Sequence, residues 1–357
     1  MKPNALQLAA MCLVAGIGCA TPGSPVPKGE VISVDWTSPL YRGHPLVGRI
    51  WQVRTRTFVA LSALESALAQ ADFVLLGETH DNPDHHLLQA RLVLAIGATG
   101  RQPALAFEML QTNQQALVNS ALVGSPPTPD AVADAVDWRH SSWPDFSMYR
   151  PVFAAGIRDG LPFLAADLPR ETVHRFFSEG SPALPEPVRR LLARQGPLTP
   201  AAEKALRAEM ARVHCGQLPQ SMLGKLVSLQ EARDAALAQS LLAADEALAP
   251  KGYEQGAVLI AGSGHARTDR GVPSFLSREA PQRTAVAAAF VEVSPEATDP
   301  EAYASEFDAA SLPFDYVVFT PAAERKDPCL ELKKKLHPPP PGPPPASHAV
   351  AHGAFSP

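Results

Sequence analysis

Between Phe73 and His86 the chain reads FVLLGETHDNPDHH, an apolar run closed by a glycine and followed at once by one glutamate, two aspartates and three histidines. Three more apolar runs end in the same manner. ALAFEML delivers Glu108, FLAADLPR delivers Asp167 and VLIAGSGHAR delivers His265. Runs of this kind are predicted as strands covered on both faces, and ligands of open α/β sheets sit at the carboxyl ends of such strands. If the strands are parallel, Glu78, His80, Glu108, Asp167 and His265 share one edge of one sheet. A lone Glu or His after a strand is ordinarily a solvated loop residue or a helix cap, so it is the coincidence at four ends that points to a site. Glu78 and His80, two positions apart, lie on the same side while the backbone stays extended. Glycines at 77, 262 and 264 allow sharp turns and close approach of a ligand.

Two imidazoles with two or three carboxylates suit a divalent transition metal such as Mn, Fe, Co or Zn, and suit Mg or Ca poorly. On that reading Glu78, His80, Glu108 and His265 ligate the ion, which lowers the pKa of a bound water for hydrolysis with a carboxylate as base. The same polar rim suits ligation or hydrogen bonding of a large cofactor. His85 and His86 fall in the first turn of a helix, where one is expected on a solvated face and the other remains a site candidate. Several chemistries are absent from the sequence: there is no Gly-rich phosphate loop with Lys-Ser/Thr, no third glycine after Gly262-Ser263-Gly264-His265 and no G-x-S-x-G elbow. Cys215 has His214 beside it, but adjacent helical positions point apart, which disfavours a thiol nucleophile.

The elements that must position these residues alternate short apolar runs with helical stretches. Strands are predicted at Phe73–Gly77, Ala104–Glu108, Leu161–Ala166, Ala257–Gly262, Val286–Val293 and Tyr316–Thr320. After the first, Asn82-Pro83 reads as an N-cap followed by proline at the first helical position. About 90 residues without strand signal separate the third and fourth strands, far more than a crossover requires. They are read as an inserted helical subdomain, 171–250, with helices at Pro200–Val213 and Pro219–Leu248. Arg233 and Asp234 interrupt the apolar stripe of the second helix and are expected to pair at a helix interface. A helical layer over Gln111–Arg158 holds Trp138, Trp143 and Tyr149. The fold class is therefore α/β, a mostly parallel sheet flanked by helices, within a domain spanning 46–330.

Both ends read differently. Residues 1–18 have signal-peptide anatomy, with one lysine and an apolar stretch of about 14 residues, too short to span a bilayer. Ile17-Gly18-Cys19 resembles the end of a lipobox, so Cys19 is the expected lipidation site, and 19–45 forms a linker. An exported protein lipid-anchored to the bacterial cell envelope, at the outer membrane or a periplasmic face, follows as the expectation. The proline-rich stretch 337–357 is read as a disordered tail. Cys215 and Cys329 are the two thiols left in the folded part, and pairing is not the favoured expectation because sequence cannot show their proximity. A net charge of −5, from 31 basic and 36 acidic side chains without a basic cluster, excludes nucleic acid as a partner. With 46% hydrophobic composition the chain can bury a full core.

In order along Asp72–Pro273, the segments FVLLGETHDNPDHH, ALAFEML, WPDFSMYRPVFAAGIRDGLPFLAADLPR, HCGQLP with QEARDAALAQSL, and VLIAGSGHARTDRGVP resemble the blocks of ChaN-like haem-binding uptake lipoproteins. The wider superfamily, with the Tiki and TraB proteins and erythromycin esterase-like enzymes, shares the paired elements seen here at Gly77–His80 and Gly262–His265. The family usually has Asn where Asp167 stands. The resemblance implies an α/β sheet domain, lipid anchoring and haem binding in iron uptake, and a homodimer is compatible with it. Haem needs an apolar slot, an axial ligand and cationic partners for its propionates. Trp138, Trp143, Tyr149, Met210 and Met222 are candidates for the slot. His80, His85, His86, His265 and Tyr149 are axial candidates, and Arg170, Arg233 and Arg267 are propionate candidates. A metal-dependent hydrolase using Glu78, His80, Glu108 and His265 is the alternative.

Overall fold

Residues 31–32, 34–124, 126–248, 256–327 and 329–330 are described by the computed structural model. The leader, Cys19 and the proline-rich tail lie outside them. In chain order the elements are β1 (Ile50–Gln52), β2 (Thr57–Val59), α1 (Leu61–Gln70), β3 (Phe73–Glu78), α2 (Pro83–Gly97), β4 (Ala104–Gln111), α3 (Gln115–Leu122), α4 (Pro129–Ala135), α5 (Phe146–Arg158), β5 (Phe163–Asp167), α6 (Arg170–Glu179), α7 (Glu186–Gln195), α8 (Pro200–Val213), α9 (Gln220–Leu248), β6 (Ala257–Gly262), α10 (Val272–Glu279), β7 (Ala285–Glu292) and β8 (Tyr316–Thr320).

All eight strands join one sheet in the order β2-β1-β8-β7-β3-β6-β4-β5. Strands β3 to β8 are mutually parallel, and the short hairpin β1–β2 adds antiparallel at the β8 edge. Side chains alternate across the sheet with period two. Phe73 and Leu75 pack on one face with residues of α9 and α10, whereas Val74 and Leu76 pack on the other with residues of α1, α2 and α5. Both faces are covered, which is why the parallel strands read as unbroken apolar runs. The hairpin escapes sequence reading because its strands are three residues each and partly exposed.

Three strand ends extend further than predicted, that of β3 by one residue to Glu78. The third strand runs to Asp167, and β4 continues to Gln111 through an irregularity in its pairing with β5. Glu108 and Asp167 are thus held by strand backbone. Strands β3 and β6 are neighbours in register, Glu78 opposite Gly262, yet α2 leaves β3 toward one face and α10 leaves β6 toward the other. That divergence opens a crevice at their carboxyl ends, the topological switch point of an α/β sheet.

Two ties fix the periphery. Asn82 caps α2 by accepting from the Asp84 N–H, and the Asp84 carboxylate accepts the backbone N–H groups of Thr37 and Ser38 at 2.7 and 2.9 Å. Contrary to the expectation of free thiols, Cys215 and Cys329 form a disulfide across 114 residues of sequence. It fastens the turn between α8 and α9 to the C-terminal segment.

Candidate functional site

Glu78, the last residue of β3, is buried, and three side chains converge on it. Its Oε1 lies 2.9 Å from His80 Nδ1 and accepts a hydrogen bond from the Tyr149 hydroxyl at 2.9 Å. Its Oε2 is 3.0 Å from His86 Nδ1, out of hydrogen-bonding alignment. Burial works against ionisation, but His86 and His80 outweigh it and hold the Glu78 carboxyl well below the usual range. Tyr149 is pushed far up by burial and by Glu78, so it stays a neutral donor. His80 itself remains 35% exposed, meets Trp143 edge-on at 4.9 Å and carries its Nε2 3.9 Å from Glu108 Oε2, too far for a hydrogen bond. Burial lowers the His80 pKa, but Glu108 and Glu78 prevail and raise it.

The second turn, at the end of β6, is organised around Glu108. The Gly262 N–H donates to Glu108 Oε2 at 2.7 Å, while Oε1 accepts from Arg233 Nη2 at 2.7 Å and lies 3.2 Å from His265 Nε2. On its other nitrogen His265 meets Asp234 Oδ1 at 2.6 Å. Arg233 also donates to Asp167 from Nη2 at 2.6 Å and from Nε. Burial opposes charge on His265, but Glu108 and Asp234 dominate and raise its pKa to about 10, so it is a cation at neutral pH. Gly262 is needed here: a Cβ would come within 2.9 Å of His80 Nε2.

The sequence-derived candidates therefore separate. Glu78, His80, His86 and Tyr149 form one cluster, and Glu108, Asp167, Arg233 and His265 form the adjoining one. His85 is buried away from both: its Nδ1 accepts the Thr79 N–H at 2.9 Å and its Nε2 contacts Thr320 Oγ1 at 2.8 Å. Burial and His86 lower its pKa to about 3, so it is neutral. The solvated face expected for one of the pair is found for neither. Arg267 pairs with Asp269 and with the Phe307 carbonyl, and not with a carboxylate of the rim. Trp138 packs against Phe146, Tyr149 and Phe153. Arg170 and Trp143, with Met109 and Arg233, line a cleft of ≈ 350 Å³ over Glu108 and Asp167, whose lining includes neither Met210 nor Met222.

The metal set expected from the sequence is not assembled. Glu108 has both oxygens engaged by donors, and the cations among these carboxylates are the Arg233 guanidinium and the His265 imidazolium. Among the described residues, no group of three or more His, Cys, Asp or Glu side chains is disposed to hold an ion. Asp234 and Gln230 are the functional neighbours that sequence reading did not assign to the site. Gln230, Arg233 and Asp234 stand at i, i+3 and i+4 on α9, so one helix face delivers all three to the His265 side.

A family model described as haem-binding uptake, Tiki superfamily, ChaN, matches residues 64–276, more than half of the chain. The chain belongs to the ChaN family. Both clusters of the rim fall inside the matched segment. Among solved structures, one titled for cofacial haem binding to ChaN of Campylobacter jejuni is 19% identical, with a TM-score of 0.58, covering 75% of this chain and 95% of that one. An erythromycin esterase in its open conformation is 13% identical, with a TM-score of 0.42, covering 74% of this chain and 94% of that one. The first confirms the fold of this ChaN-family chain. No curated protein matches it in sequence.

Proposed function

We propose that this protein is an exported, lipid-anchored haem-binding protein of iron uptake, and that His80 supplies the axial ligand to the haem iron. One observation carries the assignment of the ligand: His80 is partly exposed, with Nδ1 held by a buried carboxylate and Nε2 free of hydrogen bonds. An imidazole that ligates a metal characteristically has its other nitrogen on a carboxylate, which fixes the ring and raises its basicity. His265 and His86 are enclosed in contacts on both nitrogens. The cleft lined by Trp143, the ring that meets His80, suits the remaining demands of the group. Trp143 and Met109 offer apolar wall, and the exposed Arg170 at the mouth of the cleft offers a cation for a propionate. When bound, haem supplies an iron centre whose open coordination the protein controls. The residues of this chain orient His80, keep Glu78 ionised and hold Tyr149 neutral.

Family membership supports haem as the ligand, and the leader ending at Cys19 supports export and anchoring. The test is a haemin titration of the purified protein followed by absorbance, beside His80→Ala and His265→Gln. Saturable binding that His80→Ala abolishes, and that any folded His265→Gln retains, supports the assignment. Equal binding by His80→Ala removes His80 as ligand, and absence of any saturable spectral shift removes haem. Expression of Cys19→Ala, followed by membrane fractionation, tests the anchor: a protein that stays in the membrane fraction refutes it.

A further inference from the structure

A second cavity, of ≈ 190 Å³, lies at another face of α9 and shares no lining residue with the cleft at Trp143. Gln195, Glu231, Arg270, Ser274 and Arg278 border it. Two of these residues present buried polar atoms without partners. The Arg270 side chain is 3% exposed and its Nη2 pairs with Glu209, but Nη1 meets no acceptor. Gln195 donates from Nε2 to Ser274 Oγ at 3.3 Å, whereas its buried Oε1 receives no donor. Buried polar atoms are nearly always satisfied, so an unfilled cationic donor and an unfilled acceptor on one cavity form the two halves of a binding site.

The charges around the cavity fix the sign of the ligand. Three guanidinium groups, Arg267, Arg270 and Arg278, stand among three carboxyls, Glu209, Asp269 and Glu231. Asp269 is held by Arg267, and Glu209 by Arg270. Burial, with Asp234 and Glu203 adding to it, pushes the Glu231 carboxyl up to about 7, so it is readily protonated near neutrality. The unpartnered Nη1 of Arg270 and the Arg278 guanidinium on the cavity wall therefore favour a ligand that brings a negative charge. Volume limits its size: at about 30 Å³ per water, the cavity holds roughly six atoms of that size.

We propose that this cavity binds a small oxyanion that also carries a hydroxyl, with Arg270 and Arg278 donating to its charged oxygens and Gln195 Oε1 accepting from the hydroxyl. Dihydrogen phosphate and a short 2-hydroxycarboxylate share that chemistry and fit the space. This site is independent of the haem reading, because none of its lining residues belongs to the rim around Glu78 and Glu108.

Isothermal titration of the purified protein with inorganic phosphate and, separately, with lactate, at constant ionic strength, tests the proposal. Saturable binding of one ion per chain is expected for at least one probe, weakened about tenfold or more by Gln195→Leu or Arg278→Gln. Both substitutions fall at positions that are not fully buried, and a melting curve of each variant confirms folding. Binding of phosphate alone identifies a phosphate site, and binding of lactate alone a hydroxycarboxylate site. Haemin titrations of the same variants should match the parent protein. No saturable binding of either probe, or an affinity that neither substitution alters, overturns the proposal.

Discussion

Gly77-Glu78-Thr79-His80 and Gly262-Ser263-Gly264-His265 are the same device twice: a glycine at a strand end and a histidine three residues on, carried by neighbouring parallel strands. Their histidines end in opposite states. His265 is 4% exposed and lies between Glu108 and Asp234, with Arg233 and Gln230 completing the enclosure. His80 is 35% exposed and leaves one nitrogen unengaged. The difference comes from what covers each turn. Helix α9 lays a polar face over His265, while over His80 there is the edge of Trp143. A repeated motif thus yields one locked turn that holds the rim together and one open turn that can take a ligand.

The sharpest way to break the contrast is to unlock the closed turn. Glu108→Ala leaves Arg233 and His265 buried without their shared anion and should cost ~3–5 kcal/mol in a urea denaturation. A loss below about 1 kcal/mol would mean that the locked turn is not structural. Opening the Cys215–Cys329 disulfide, near the start of the helix that does the locking, should cost ~2–4 kcal/mol. Cys215→Ser and the reduced parent protein should then melt together, and a melting point unchanged by reductant would refute the contribution.

Proton linkage sharpens the contrast further. His265 titrates at about 10 when folded and near 6.5 when unfolded, so its stabilisation is complete below 6.5 and is lost as pH rises toward 10. By about pH 8 the loss should reach roughly 2 kcal/mol, and His265→Gln should flatten that alkaline limb. His85 has the opposite sign: lowered to about 3, it stabilises above 6.5, and stability falls as pH drops toward 3. Denaturation midpoints at several pH values, in the parent and His265→Gln, check both limbs. The smallest effect belongs to the open turn. His80→Ala leaves Glu78 with Tyr149 and His86 and should cost only about 1 kcal/mol while abolishing haem binding.

Much of this architecture was legible in the sequence. Six apolar runs marked the parallel strands because burial on both faces leaves no polar alternation, and the polar residues closing those runs marked the rim. What sequence could not show is where side chains go once helices pack. His85 and His86 are adjacent, yet one turns toward Thr320 and the other toward Glu78. Arg267 follows the motif histidine by two residues but folds back on Asp269. Arg233 and Asp234 were readable as charges in an apolar stripe. That Arg233 would pair with Glu108 and Asp167, and Asp234 with His265, depended on α9 crossing β4 and β5, a long-range contact with no local signature.

The capture of Thr37 and Ser38 by Asp84 has a mechanical consequence. On the proposed reading of a lipid anchor at Cys19, the 13 peptide units to Ile32, which is buried and donates to the Gly48 carbonyl at 2.8 Å, would span at most ~47 Å and limit how far the folded body stands from the membrane. Tension along that tether would meet the Ile32–Gly48 contact first and the Asp84 carboxylate next, in the first turn of α2, six residues past Glu78. Drag that pulled the chain past Ile32 would therefore load the helix that presents His86 to the open turn, placing the rim in series with the tether.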